Sequence, residues 1–398
     1  MKSLRQNIGI DVASRDFKVA YGGLMENHHF KIFASHTFKN TPKGIESFLE
    51  WITKWHRKRG QPDVDLQVTL EPTGIYHEHL AYTLYEKGYT LHLVLPNQAN
   101  KYSESLGNRS KTDSIDAKTL ARMGVERQLR VWQPISSQLK QLKDLIRERA
   151  RLIQMRGQVS NQKHALTYSK DPVQEVIGRN RQLYEFIEGQ IKEINKEIEQ
   201  LIEQDPALAD KMDKLTSVTG LGIISTATVV AETDGFAGFS SIKQLQSYSG
   251  YDIQIRQSGQ WKGKSTISKQ GNSHIRGVMY MAARAAIKHN PEFKDFNQRL
   301  IDKGKHSMVA NTAVQRKLLV LMYTLWKKDQ YYDPQFYKKQ GHQQANSRTN
   351  TRQEKPNSNG HSQKPAHDKY RVMPEPESSF GCNKITKIIK FYQEKLGI

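Results

Sequence analysis

One cysteine occurs in 398 residues, Cys382. That scarcity excludes an internal disulfide and the repeated Cys pairs of a zinc ribbon, so a stapled extracellular module is ruled out and a reducing compartment is expected. Long apolar runs are also missing. The first residues, MKSLRQNIGIDVASRDF, lack the hydrophobic stretch of a signal peptide, and no window approaches the ~18 uninterrupted apolar residues of a membrane span. A soluble, intracellular protein without a membrane partner is expected. Acids are scarce relative to bases, 40 Asp plus Glu against 61 Lys plus Arg, for a formal net charge of +21. Such an excess points to a polyanionic partner, nucleic acid first.

The chain is about twice the length of a typical domain, so two or more packed units are expected. Residues 7–11 (NIGID) and 17–22 (FKVAYG) read as a β-hairpin, and 30–38 as a third strand. Thr41-Pro42 reads as an N-cap with proline at the first helical position, ahead of a helix carrying Ile45, Phe48, Leu49, Ile52 and Trp55 at helical spacing. An extended run at 66–71, a helix over roughly 75–87 and a strand over 90–95 complete an alternation typical of an α/β domain. From 136 to 205 helix formers and charge dominate. Leu183, Phe186, Ile187, Ile191, Ile194, Ile198 and Leu201 repeat at three and four residues, the pattern of a coiled-coil seam in a helical hairpin or dimerising stalk.

A third unit begins near Leu215. Val218 to Gly222 (VTGLG) interrupts two helical patterns ahead of a helix over 223–232, a helix-hairpin-helix-like element that can offer backbone N–H groups to a phosphate. Between Tyr251 and Lys328 fifteen Lys or Arg face four acids, so more than half of the net charge sits in about a fifth of the chain. Beyond Tyr337 the polar, Asn/Gln/Ser-rich sequence reads as disordered, followed by a short amphipathic helix with Ile385, Ile388, Ile389, Tyr392 and Leu396 on one face.

Two constellations could carry chemistry. Asp11 and Glu71 each close a strand, and Asp113 and Asp116 lie three apart in a helical segment, so both face one way. Four carboxylates brought together would repel unless a divalent cation sat among them, and oxygen ligands suit Mg²⁺. The plainer reading makes them turn and cap residues. The second constellation is Ser258-Gly259 in a loop with Arg256, Lys262, Lys264 and Lys269, and Arg276 on the next helix. A serine there could attack a phosphate whose charge the cations stabilise, or could be a passive phosphate contact. The loop does not fit a Walker A motif, and the 14 histidines form no recognisable zinc pattern.

Taken in order, GID at 9–11, LEPTG at 70–74, NRSKTDSIDA at 108–117, SVTGLG at 217–222 and the SG…G…ISKQGN…R series at 258–276 resemble the DEDD-type insertion-sequence transposases of the "IS one-hundred-ten" family, over about residues 5–330. The resemblance implies an α/β plus α protein: a RuvC-like (RNase H-like) acidic-tetrad domain at 1–133, a coiled-coil linker at 134–206, and a small, mostly helical transposase domain at 207–334. A polar linker over 335–380 and a helix over 381–398 have no counterpart in it. It further implies that Asp11, Glu71, Asp113 and Asp116 bind Mg²⁺, and that Ser258 forms a phosphoserine–DNA intermediate. Arg256, Lys262, Lys264, Lys269 and Arg276 are the nucleic-acid-binding residues on this reading. The implied partners are donor and target DNA, a structured guide (bridge) RNA and further copies of the chain, a dimer pairing into a tetramer with half-sites completed between protomers. A bacterial or archaeal cytoplasm, at the nucleoid, is the expected location. The rival readings are a hydrolytic RuvC-like nuclease or junction resolvase without a covalent intermediate, and a nucleic-acid-binding architectural protein with a silent site.

Overall fold

The computed structural model describes residues 2–59, 65–108, 110, 112–255, 257–259, 261–263 and 265–334. The linker and helix expected beyond residue 335, Cys382 included, lie outside the described residues, as do Arg256 and Lys264. The chain divides into two compact units, Met1–Ile135 and Ser136–Ile398.

In the first unit, β1 (Ser3–Val12), β2 (Asp16–Met25) and β3 (Phe30–Lys39) form an antiparallel meander, as the alternating hydrophobic runs predict. Helix α1 (Pro42–Arg59) starts where Thr41 Oγ1 accepts the Gly44 N–H at 3.2 Å. Strand β4 (Leu66–Glu71), helix α2 (Glu78–Glu86) and strand β5 (Thr90–Leu93) follow, then α3 (Pro96–Ser105) and α4 (Asp113–Glu126). The sequence reading had no separate helix over 96–105. The sheet order is β3-β2-β1-β4-β5, with β4 parallel to β1 and β5 parallel to β4. This is the RNase H-like arrangement. Ile8, Ile10, Phe17, Val19, Phe48, Val68, Leu70 and Leu84 pack on one side of the sheet with α1 and α2.

The other side is closed by α4, and its approach is set by a missing side chain. A Cβ built at Gly9 would stand 2.1 Å from both the Ala117 carbonyl oxygen and the Ala121 nitrogen. The helix therefore rides directly on the β1 backbone. Asn7, two residues earlier and on the same face, donates through Nδ2 to Thr69 Oγ1 (3.0 Å) and to the carbonyls of Leu120 (3.3 Å) and Ala121 (3.2 Å). Gly9→Val is expected to force α4 off the sheet and to destabilise the unit by about 3 kcal/mol. A chemical-denaturation midpoint checks this, and an unchanged midpoint would mean that α4 does not need the contact.

In the second unit, α5 (Ser137–Leu166) and α6 (Gln174–Glu203) form an antiparallel hairpin. Within the single chain, part of the predicted apolar seam is buried. Ile187, Ile191, Ile194, Ile198 and Leu201 are buried, whereas Leu183 and Phe186 are exposed. Near the seam Arg149 Nε donates to Asn195 Oδ1 (2.6 Å), and Arg156 pairs with Glu188 (2.7 Å). Helices α7 (Pro206–Thr216), α8 (Ile223–Glu232) and α9 (Ile242–Tyr248) lead into a short ribbon of β6 (Ile253–Gln254), β7 (Gln257–Ser258), β8 (Trp261–Lys262) and β9 (Thr266–Ile267). Helices α10 (Ser273–His289), α11 (Pro291–Asp302) and α12 (Ser307–Lys328) finish the unit. Its core joins Leu142 and Ile146 of α5 to Val229, Phe236, Tyr251, Met279, Phe293 and Leu318. Among the described residues no helix is long and apolar enough to cross a membrane.

Candidate active-site residues in the two units

In the first unit, β1 and β4 run parallel, so their C-terminal ends share one edge of the sheet. Asp11 and Glu71 are register partners there. On the other side of β1, Asp11 is the register partner of Lys18 on β2. The Lys18 ammonium is 3.1 Å from an Asp113 carboxylate oxygen. Asp113 and Asp116 occupy the first turn of α4, whose backbone crosses β1 at Gly9, on the same strand face as Asp11. Thr112 caps this helix, its side-chain oxygen accepting the Ile115 N–H at 3.3 Å. Asp113 is therefore a first-turn residue rather than the cap. The Lys18 hydrogen bond and charge hold the Asp113 carboxyl below its ordinary range.

Three of the four acids are thus tied to one strand end through Asp11: Glu71 by register, and Asp113 through Lys18. Asp116 follows in the same helical turn as Asp113. Among the described residues no three His, Cys, Asp or Glu side chains are drawn close enough together to hold a metal ion. The donor set is oxygen only, the chemistry of a hard divalent cation, and its arrangement is open. Lys18, which the sequence reading passed over, is the cation beside Asp113.

In the second unit, β6 pairs with β9 and β7 pairs with β8, giving a nested antiparallel ribbon. Ser258 is exposed at the end of β7 with Trp261 as its cross-strand partner. Gly259 turns the chain at φ +56°, a left-handed conformation that glycine adopts without steric penalty, and a Cβ built there would meet nothing within 4 Å. The serine itself is exposed. Lys269 is exposed, and Lys262 lies on β8.

The root of the ribbon is held tightly. Backbone N–H groups of Ser268, Lys269 and Asn272 donate to the carbonyls of Asp252 (2.7 Å), Gly250 (3.1 Å) and Tyr248 (2.8 Å). Arg276, expected on a phosphate, has its Nη1 on the Ser249 carbonyl (2.9 Å) and the Asn272 carbonyl (3.2 Å). Its observed work is to brace the ribbon's root. Buried Tyr251 donates to Gln315 Oε1 at 2.7 Å, and burial pushes its hydroxyl well above the usual phenol range.

Behind this root lies a carboxylate that sequence reasoning missed. The Glu232 side chain is 0% exposed, and it accepts both forks of Arg147 from α5 (2.9 and 3.1 Å) and the Asn272 Nδ2 (2.7 Å). Asn272 Oδ1 meanwhile accepts the Ile275 N–H at the start of α10 (3.1 Å), and Tyr248 donates to the Glu232 carbonyl (2.9 Å). Burial alone would raise the Glu232 pKa. The hydrogen bonds of Arg147 and Asn272 and the nearby Lys143 charge outweigh it and leave the carboxyl below its ordinary range. The one available sequence signal was an acid ending an otherwise apolar helix, STATVVAE.

This pair makes a signed prediction. Because the folded value is lowered, Glu232 contributes stability that is complete above the ordinary carboxylate range and is lost as pH falls through the folded value. Arg147 is 51% exposed and can rehydrate, so Glu232→Gln is expected to be mild. Arg147→Met instead strands a buried carboxylate, and should destabilise by about 3 kcal/mol at neutral pH. In that variant burial raises the Glu232 value, so stability should fall with rising pH instead of with falling pH. Urea midpoints across acid to neutral pH read the slope, and an unaltered slope would rule the pair out as a determinant.

Residues 8–167 match a DEDD-type family model described as "Transposase", and residues 212–298 match the model of the "Transposase IS116/IS110/IS902 family". The chain belongs to the IS110 family of transposases. IS110 transposases of this kind recombine DNA enzymatically, and the curated relatives agree. The "Pilin gene-inverting protein" of Moraxella bovis is 27% identical over 333 residues, covering 83% of this chain and 98% of the relative, with the same figures for that of Moraxella lacunata. A "Probable family 20 transposase" of Pseudomonas aeruginosa is 20% identical over 299 residues, covering 67% of this chain and 86% of that protein. Among solved structures, Thermus thermophilus RuvC aligns over 29% of this IS110 transposase and 90% of its own chain, at 12% identity and a TM-score of 0.23.

Proposed function

We propose that this IS110 transposase cuts and rejoins DNA through a phosphoserine intermediate on Ser258, assisted by Mg²⁺ at Asp11, Glu71, Asp113 and Asp116 and guided by an element-encoded structured RNA. The observation that carries the reading is Ser258 itself, exposed at the turn of a ribbon, with four cations and no acid between Ile253 and Asn272. In the cutting step a bond forms between the serine Oγ and phosphorus while the bond from phosphorus to one deoxyribose oxygen breaks. The hydroxyl proton passes to solvent, and the released sugar oxygen takes one up. Attack by a different strand's sugar oxygen on the phosphoserine reverses these changes and joins new partners. Arg256, Lys262, Lys264 and Lys269 hold the phosphate backbone, whereas Arg276, Asn272 and Glu232 keep the ribbon aimed.

The four carboxylates fit a hard divalent cation in donor type, and three of them are tied to one strand end. Lys18 stands beside one of them, Asp113, at 3.1 Å. When bound, such an ion would polarise a phosphate oxygen and stabilise developing negative charge. The protein's own part is to present the acids: α4, seated on Gly9, brings Asp113 and Asp116 over the edge that Asp11 and Glu71 occupy. DNA inversion, named for the Moraxella relatives, is the same class of reaction. Donor DNA, target DNA and guide RNA are the partners on this reading, and a dimer pairing into a tetramer is the working assembly, in the cytoplasm of its host.

The test is whether a protein–DNA species survives denaturing electrophoresis after incubation with Mg²⁺, RNA transcribed from the element's flanks, and DNA carrying its junction. Such a species supports the phosphoserine. Nicked DNA without it would replace this reading by a water-using nuclease.

A further inference from the structure

Five tryptophans occur in the chain. Trp51, Trp55, Trp132 and Trp326 each pack against a hydrophobic core. Trp261 does not: it is 61% exposed, on a strand of two residues, directly across the ribbon from Ser258. An indole left in water needs a partner to remove its apolar surface, and the ribbon's composition says which kind. From Ile253 to Asn272 the chain carries Arg256, Lys262, Lys264 and Lys269 and no acid. A second copy of this chain would bring the same positive segment, a like-charge contact, whereas a nucleic acid brings phosphates for the cations and a flat base for the ring.

We infer that Trp261 is a base-stacking subsite, which holds an unpaired nucleobase next to the phosphate presented to Ser258. The inference rests on Ser258 being the residue at the scissile phosphate. Register partners across a ribbon lie side by side, so an indole there can grip the nucleotide adjoining that phosphate and fix its distance from the serine. Every base offers a π face, so the subsite is tolerant of sequence and selective for single-stranded or unstacked nucleotides. It demands that the duplex open at the cut site, and the ring supplies a place for the displaced base.

The experiment titrates the full chain with a short oligothymidylate and with a strand of equal length made of abasic deoxyribose phosphates. Tryptophan fluorescence reports stacking and anisotropy reports affinity. Both strands should bind through their phosphates, but only the base-bearing strand should quench fluorescence. The quench should disappear in Trp261→Phe, which keeps a smaller ring and most of the affinity. Trp261→Ala should bind the oligothymidylate on the order of tenfold more weakly and the abasic strand unchanged. Equal quenching by the abasic strand, or a quench that persists in Trp261→Phe, would overturn the subsite. So would a Trp261→Ala protein that sediments as a smaller oligomer while keeping its preference for bases, since the ring would then serve a protein contact. Ser258→Ala should keep the quench. A quench without any covalent adduct would therefore leave the stacking subsite standing and remove the serine, and an adduct without a base-dependent quench would do the reverse.

Discussion

Ser258→Ala is expected to abolish the covalent protein–DNA species and to lower strand cleavage by at least about 10³-fold, since no other atom takes the place of the nucleophile. The side chain is exposed on a two-residue strand, so the folding free energy should stay within about 0.5 kcal/mol of wild type. Affinity for DNA should also hold, because the charges that bind phosphate are untouched. Loss of chemistry with folding and binding intact is the signature of a reacting atom. If the alanine protein instead nicks DNA at the wild-type rate, water is the nucleophile and Ser258 is a phosphate contact. Ser258→Thr adds one methyl to an exposed side chain, so it should retain part of the activity through its own hydroxyl.

How much of this could be read from the sequence follows from how local each feature is. Strands β1 to β5 and helix α1 were legible because alternation, a Thr-Pro start and apolar spacing at three and four residues are properties of short windows. The acids at 11 and 71 could be placed at strand ends, but their pairing depends on β1 and β4 being parallel neighbours, which no window contains. Lys18 was invisible for the same reason, as its partners Asp11 and Asp113 come from another strand and a helix. Gly9 was quoted as part of a motif without its reason, a helix backbone resting on it. The ribbon around Ser258 looked like a polar loop because strands of two residues are too short to give a period. Arg147, Glu232 and Asn272 are 85 and 40 residues apart in pairs, so their network could emerge only from the folded chain. Leu183 and Phe186 keep the spacing of the α6 seam and are exposed in the single chain, so whether they meet a partner is not legible from the repeat.

The second unit therefore has a rigid base and an exposed tip, and this division has a mechanical consequence. Three backbone hydrogen bonds, Arg276 and the Glu232 carboxylate fix where the ribbon leaves the core, while Ser258, Gly259 and Trp261 project into solvent. Because Arg147 comes from α5, the same carboxylate that holds the ribbon's root also holds the base of the long hairpin. The hairpin and the ribbon's root thus share one buried carboxylate, alongside the packing of Leu142 and Ile146 in the same core.

Asp11→Asn is expected to lower metal-dependent cleavage by about 10³-fold or more while leaving nucleic-acid affinity intact. The substitution keeps shape and removes one charge from the edge where Glu71 is the register partner. Its effect on stability separates a ligand from a structural residue. Without metal, removing one of several like charges relieves repulsion, so the variant should be as stable as wild type or slightly more so. With Mg²⁺ about 100-fold above its dissociation constant, a protein that binds the ion only when folded gains about 2.7 kcal/mol. Wild type should show that rise in thermal midpoint and Asp11→Asn should not. Neutral pH favours the comparison, because Lys18 keeps the Asp113 carboxyl below its ordinary range and so ionised. A Mg²⁺-induced rise that survives in Asp11→Asn would place the ion elsewhere. Cleavage that survives as well would leave the acids of this sheet edge to structural work, such as the pairing of Asp113 with Lys18.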